Sequence, residues 1–93
     1  MRTCIVTGAS SGLGREFAGR IAKSGCVDSV WVIARRKQRL EELEKELRVK
    51  AVLLPLDLTK PESIERLKGL LEEKKPDVRF LVNAAGFGKT GQL

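Results

Sequence analysis

The stretch IVTGASSGLGREF, Ile5 to Phe17, sets three glycines and two serines between an apolar run and a helix-like pattern. Arg2 to Thr7, RTCIVT, is a short apolar run that stops at a glycine, which reads as a buried strand. Beyond the glycines, Leu13, Phe17 and Ile21 recur with Ala18 and Ala22 on one helical face, so a helix is expected over Ser11 to Ser24. Gly25 stands where a left-handed C-cap is wanted. A glycine-rich turn between strand and helix has a physical use. A diphosphate needs backbone N–H donors at close range, and a helix N-terminus supplies them with the positive end of its dipole. Any Cβ in the turn would hold that ligand away. Gly8 is expected to make the turn, Gly12 the close approach and Gly14 the tight helix–strand packing, with Leu13 between them. Ser10 and Ser11 add hydroxyl donors. An ordinary glycine-rich loop is the plain alternative, and the strand before it and amphipathic helix after it argue against that.

The rest of the chain repeats the alternation. Ser29 to Ala34, SVWVIA, has no polar alternation and is expected to be covered on both faces. A helix follows over Lys37 to Leu47, with Leu40, Leu43 and Leu47 inward. Ala51 to Leu54 is a third strand, closed by Pro55. Thr59 and Glu62 have capping-box spacing, with Pro61 in the first turn. That helix carries Ile64, Leu67, Leu70 and Leu71 inward and ends before Pro76; Arg79 to Val82 is a fourth strand. The order βαβαβαβ implies an α/β fold with a parallel, doubly wound sheet, strand order 3-2-1-4, in one partial Rossmann domain over residues 1–93. Two helices should cover one sheet face and one helix the other. The strongest loop signals, Gly8 to Gly14, Ala34 to Lys37, Asp57 to Thr59 and Asn83 to Gly88, all fall at strand C-terminal ends.

Composition narrows the function classes. Apolar residues make up 42% of 93, enough for one core and no more. The opening apolar run is too short for a signal peptide, and no window approaches the ~18 apolar residues of a membrane span, so a cytoplasmic protein is expected. With no histidine and two cysteines, Cys4 and Cys26, neither a zinc site nor a Ser-His hydrolase is expected, and no disulfide. The net charge of +6 lies mostly on helix faces interleaved with glutamate, as in EELEKELRVK, and reads as solvated surface. The cluster ARRKQR, Ala34 to Arg39, lacks the interleaved aromatics of a nucleic-acid site, so no nucleic-acid partner is expected.

The glycine pattern is T-G-x-x-x-G-x-G, Thr7 to Gly14, and it is followed by DLT (Asp57–Thr59) after the third strand and NAAG (Asn83–Gly86) after the fourth. With these motifs in register, nearly the whole chain resembles the N-terminal half of a short-chain dehydrogenase/reductase. The resemblance implies that Asp57 meets the adenine edge, that Leu58 borders the ring, and that Asn83, Ala84, Ala85 and Gly86 line the cofactor trough and steady the sheet. For Thr59, helix capping is the preferred reading. The position about twenty residues after the glycine loop selects the dinucleotide. Arg35 and Arg36 stand there, and two guanidiniums favour a ribose 2′-phosphate, hence NADP(H) over NAD(H). Both arginines also fit an exposed loop that starts a helix. Arg15 fits either a field near the phosphates or plain surface.

The resemblance also calls for a Tyr-x-x-x-Lys pair and an upstream serine, yet the sequence holds no tyrosine. The chain therefore reads as a truncated cofactor-binding half, without catalytic residues and inactive by itself. A non-catalytic interaction or regulatory module of the same fold stays open beside it. A fourth strand lacking its neighbour, and a sheet face covered by one helix, imply self-association.

Overall fold

A computed structural model describes residues 1–9 and 12–83. Four strands and three helices alternate in it: β1 (Arg2–Thr7), α1 (Gly12–Ser24), β2 (Ser29–Ala34), α2 (Lys37–Glu46), β3 (Lys50–Pro55), α3 (Pro61–Lys74) and β4 (Asp77–Asn83). All strand pairs are parallel and the order is β3-β2-β1-β4, as the alternation of elements predicts.

Strand alternation divides the core in two. Cys4, Val6, Val30 and Val32 face α1 and α2, where they meet Ala18, Ala22, Leu40, Leu43 and Leu47. Ile5, Trp31, Ile33 and Leu54 face α3 and its Leu67, Leu70 and Leu71. Two helices therefore cover one face and one the other. Every residue of β2 is buried, because it has a strand on each side and helices on each face. Pro55 is the last residue of β3, an edge strand, where its missing N–H leaves no ladder bond unmade.

Four details depart from the sequence reading. Along α1 the residues buried on the sheet are Gly14, Ala18 and Ala22, whereas Leu13 and Phe17 are 42% and 37% exposed. The small residues, four apart, let the backbone approach the strands, and the larger row beside them is carried outward. On α3, Ile64 is exposed and contact with the sheet begins at Leu67. The capping box does not form: the N-cap is Lys60, with φ −104° and ψ 133° and no side-chain cap. Pro61 drives the residue before it into an extended conformation, so the helix starts one residue later than the Thr59–Glu62 spacing suggests. The expected left-handed turn at Gly25 is present, at φ 77°. β4 extends beyond Arg79–Val82 at both ends, and its register with β1 slips between Thr3–Val78 and Cys4–Phe80, which leaves Arg79 as a bulge.

Candidate functional site

Register places the loop signals along one edge. Thr7 is paired with Ile33 on one side and Asn83 on the other, and Ala34 with Pro55. Gly8, Arg35, Leu56 and Asn83 thus stand together at the C-terminal ends of the strands, and the winding reverses between β1 and β4. Ligands of open α/β sheets bind at such a reversal.

Gly8 has φ 66°, the left-handed conformation expected of the residue that turns the chain off β1. The turn is tied back to the sheet by Ala9, which is fully buried and donates its N–H to the Ile33 carbonyl at 3.0 Å. Gly12 opens α1 and is exposed; a Cβ added there would meet no described atom within 4 Å. Internal packing therefore does not demand a glycine at Gly12, whereas a ligand seated against the helix N-terminus would. Leu13 is exposed beside it, and Gly14 is the first buried residue of α1. Ser10 and Ser11 lie outside the described residues.

Arg35 and Arg36 are both exposed in the turn between β2 and α2. Arg36 is the N-cap of α2 and accepts from the N–H groups of Arg39 and Leu40. Asp57 follows β3. Its Oδ1 accepts the Thr59 hydroxyl at 2.6 Å and the Thr59 N–H at 3.0 Å. These bonds hold its carboxyl below the ordinary value against desolvation, with Arg35 and then Lys60 adding their charge. Arg35 and Asp57 thus act on one another across adjacent loops. Leu58 leans on the apolar cluster under α3. Arg15 is ion-paired with Glu46 in the last turn of α2, so it belongs to the seam between the two helices.

Asn83 ends β4, and its Oδ1 accepts the hydroxyl of Thr7 at 2.8 Å. Ala84, Ala85 and Gly86 lie outside the described residues. Thr7 and Thr59 are the two site residues to which the sequence reading gave no such role. Asp57 and Thr59 carry a usable signal, because an aspartate two residues before a threonine favours an Asx turn. The Thr7–Asn83 pair carries none. Among the described residues, no group of three or more His, Cys, Asp or Glu gathers to hold a metal ion, and no helix is long and apolar enough to cross a membrane.

This edge has known counterparts. The family model described as short chain dehydrogenase matches residues 2–93. The chain belongs to the short-chain dehydrogenase family. A short chain dehydrogenase of Pseudocercospora fijiensis is 37% identical over 99% of this chain and 30% of its own length. An NADP-dependent 3-hydroxy acid dehydrogenase of Schizosaccharomyces pombe is 37% identical over 91% of this chain and 34% of its own. Among solved structures, a short-chain dehydrogenase from Sphingobium yanoikuyae in complex with NADPH superposes with a TM-score of 0.77 at 33% identity, over 100% of this chain and 37% of that one. The chain spans about a third of the length of these family members.

Proposed function

We propose that this chain is the NADP(H)-binding part of a short-chain oxidoreductase. The observation that carries the reading is the edge itself: the left-handed Gly8, the bare Gly12 at the start of α1, the paired arginines after β2 and the Asp57 turn after β3 stand side by side. The donor set suits a dinucleotide phosphate. The N-terminus of α1, with Ser10 and Ser11, takes the diphosphate. Arg35 and Arg36 take the 2′-phosphate through charge-assisted hydrogen bonds. Asp57 accepts from the adenine amine, Leu58 borders the ring, and Asn83 with Ala84, Ala85 and Gly86 lines the trough. The NADPH complex and the NADP-dependent relative support the choice of phosphate form.

The cofactor, when bound, supplies or accepts a hydride. These residues bind and orient it, and no tyrosine is present to move the accompanying proton in the way the family resemblance implies. The 93-residue polypeptide is therefore expected to bind without turning over a carbonyl substrate. It also associates with itself through β4, and it works in the cytoplasm, where Cys4 and Cys26 stay as thiols.

Calorimetric titration with NADPH and with NADH at fixed ionic strength tests the reading. Binding of NADPH with much weaker NADH is expected. Equal affinity overturns the roles of Arg35 and Arg36, and absence of both removes cofactor binding from this chain.

A further inference from the structure

Thr59 does not cap α3, and its hydroxyl proton goes to Asp57 instead. The geometry is tight. Hydroxyl and N–H of the same residue converge on Oδ1, at 2.6 Å and 3.0 Å, and the Lys60 N–H closes the turn on the Asp57 carbonyl at 3.0 Å. The 2.6 Å bond is in the short range of a hydroxyl donating to a carboxylate. Oδ2 takes no hydrogen bond among the described residues. An ionised carboxylate only accepts, so a side chain anchored by one oxygen offers the other as a fixed acceptor.

We propose that Thr59 is a positioning residue for base recognition: by holding Oδ1 of Asp57 it presents Oδ2 to an exocyclic amino donor, and so makes the site prefer adenine over a 6-oxo purine. This rests on the dinucleotide reading above. The chemistry separates the two bases cleanly. Adenine offers a donating amine at position 6, and hypoxanthine offers a carbonyl oxygen that repels a carboxylate. A carboxylate free to rotate discriminates less than one held by two donors. The ionised state is held by the same contacts, since the Thr59 hydrogen bonds, Arg35 and Lys60 all keep the Asp57 carboxyl low.

The test compares Thr59→Val, which keeps the branched shape and loses the hydroxyl, with Thr59→Ser, which restores it. Affinities for NADPH and for its hypoxanthine analogue are measured by calorimetry on the 93-residue chain. The parent chain should prefer the adenine form by about tenfold, the worth of one hydrogen bond to a charged group. Thr59→Val should bring that preference to within about twofold, and Thr59→Ser should restore it. Carbon-detected titration of Asp57 adds a ligand-free readout, in which Thr59→Val moves the carboxyl up toward its ordinary value and Thr59→Ser does not. A Thr59→Val chain that keeps the full adenine preference overturns the role of Thr59 and leaves Asp57 in place. A parent chain that binds both dinucleotides alike overturns Asp57 as the base reader, and the proposal with it. Binding of neither overturns the cofactor reading itself. Thr59→Ala serves as the second variant should Thr59→Val fail to fold.

Discussion

The Thr7 hydroxyl donates to Oδ1 of Asn83 at 2.8 Å and reaches the Val82 carbonyl at 3.4 Å, which joins the ends of β1 and β4 at the point where the sheet reverses its winding. The first residue of this pair precedes the glycine turn and the second closes the opposite wall of the candidate trough. Thr7→Val should cost about 0.5–1.5 kcal/mol of stability, the net worth of one such bond. It should also weaken NADPH binding, because the two walls are no longer pinned to each other. Urea denaturation and calorimetry on the same samples check both effects.

The half-buried Gly8 and the exposed Gly12 should respond differently to the same change. Gly8 lies at φ 66°, so Gly8→Ala should destabilise the fold by about 1–2 kcal/mol before any ligand is added. At Gly12 the added methyl meets nothing described within 4 Å, so Gly12→Ala should fold at least as well as the parent. Its dinucleotide binding should nonetheless fall below detection. Undiminished binding by Gly12→Ala would remove the close approach assigned to that residue.

Arg35 and Arg36 should set the ratio of NADPH to NADH affinity. Replacing Arg35 by Ser removes a charged donor and should lower NADPH affinity about 10- to 100-fold while leaving NADH nearly unchanged. Arg35 also lends charge to the Asp57 carboxylate, so its loss should raise the Asp57 carboxyl slightly. A parallel drop for both dinucleotides would mean that the arginine supports the loop and does not select the phosphate.

The parts of this molecule differ in how openly the chain declares them. β1 and β2 were legible because uninterrupted apolar runs bounded by glycine and serine have few other uses. The turn at Gly8 was legible because backbone conformation restricts residue type there. Periodicity finds a stripe on a helix but not which of its rows lies deepest. Leu13, Phe17 and Ile64 therefore fit the inward stripe by spacing yet lie exposed, and the alanines of α1 mark the closest approach. The start of α3 was displaced because Pro61 overrules a capping pattern that fits one residue earlier. Thr7 and Asn83 lie 76 residues apart, and only the strand register brings them together.

At the other end of the sheet, Arg2 clasps Asp28 through side chain and backbone, with Arg2 Nη2 3.0 Å from Oδ1 and the Asp28 N–H 2.7 Å from the Arg2 carbonyl. The Arg2 side-chain bonds first, then the Arg2 N–H donated to Oδ2 at 3.0 Å, lower the Asp28 carboxyl from 3.8 to about 2. A carboxyl lowered by folding stabilises the fold above its unfolded value and loses that contribution as pH falls from 3.8 through about 2. Acid titration of stability should therefore show a decline in this window that is smaller in Asp28→Asn. A remnant should persist in that variant, because Asp57 and Asp77 are lowered too. An unchanged profile would mean that the clasp is equally formed in the unfolded chain.

Self-association should run through β4. Val78, Phe80 and Leu81 are 43%, 41% and 68% exposed, and β1 is the only neighbour of β4 in the described sheet. Pairing alternates their sides: Phe80 lies beside Cys4, on the face of α1 and α2, and Leu81 beside Ile5, on the face of α3. A second copy seated on this strand would cover apolar surface on both faces at once, and the bulge at Arg79 limits how long a ladder the edge can offer. Light scattering across a concentration series should show the 93-residue chain moving from monomer to dimer. Leu81→Lys places a charge in the most exposed apolar position and should shift that transition about tenfold higher in concentration, as loss of one apolar contact of ~1.4 kcal/mol requires. A chain that stays monomeric at the highest concentration reached would exclude this surface as a self-association site, and a dimer indifferent to Leu81→Lys would place the contact elsewhere.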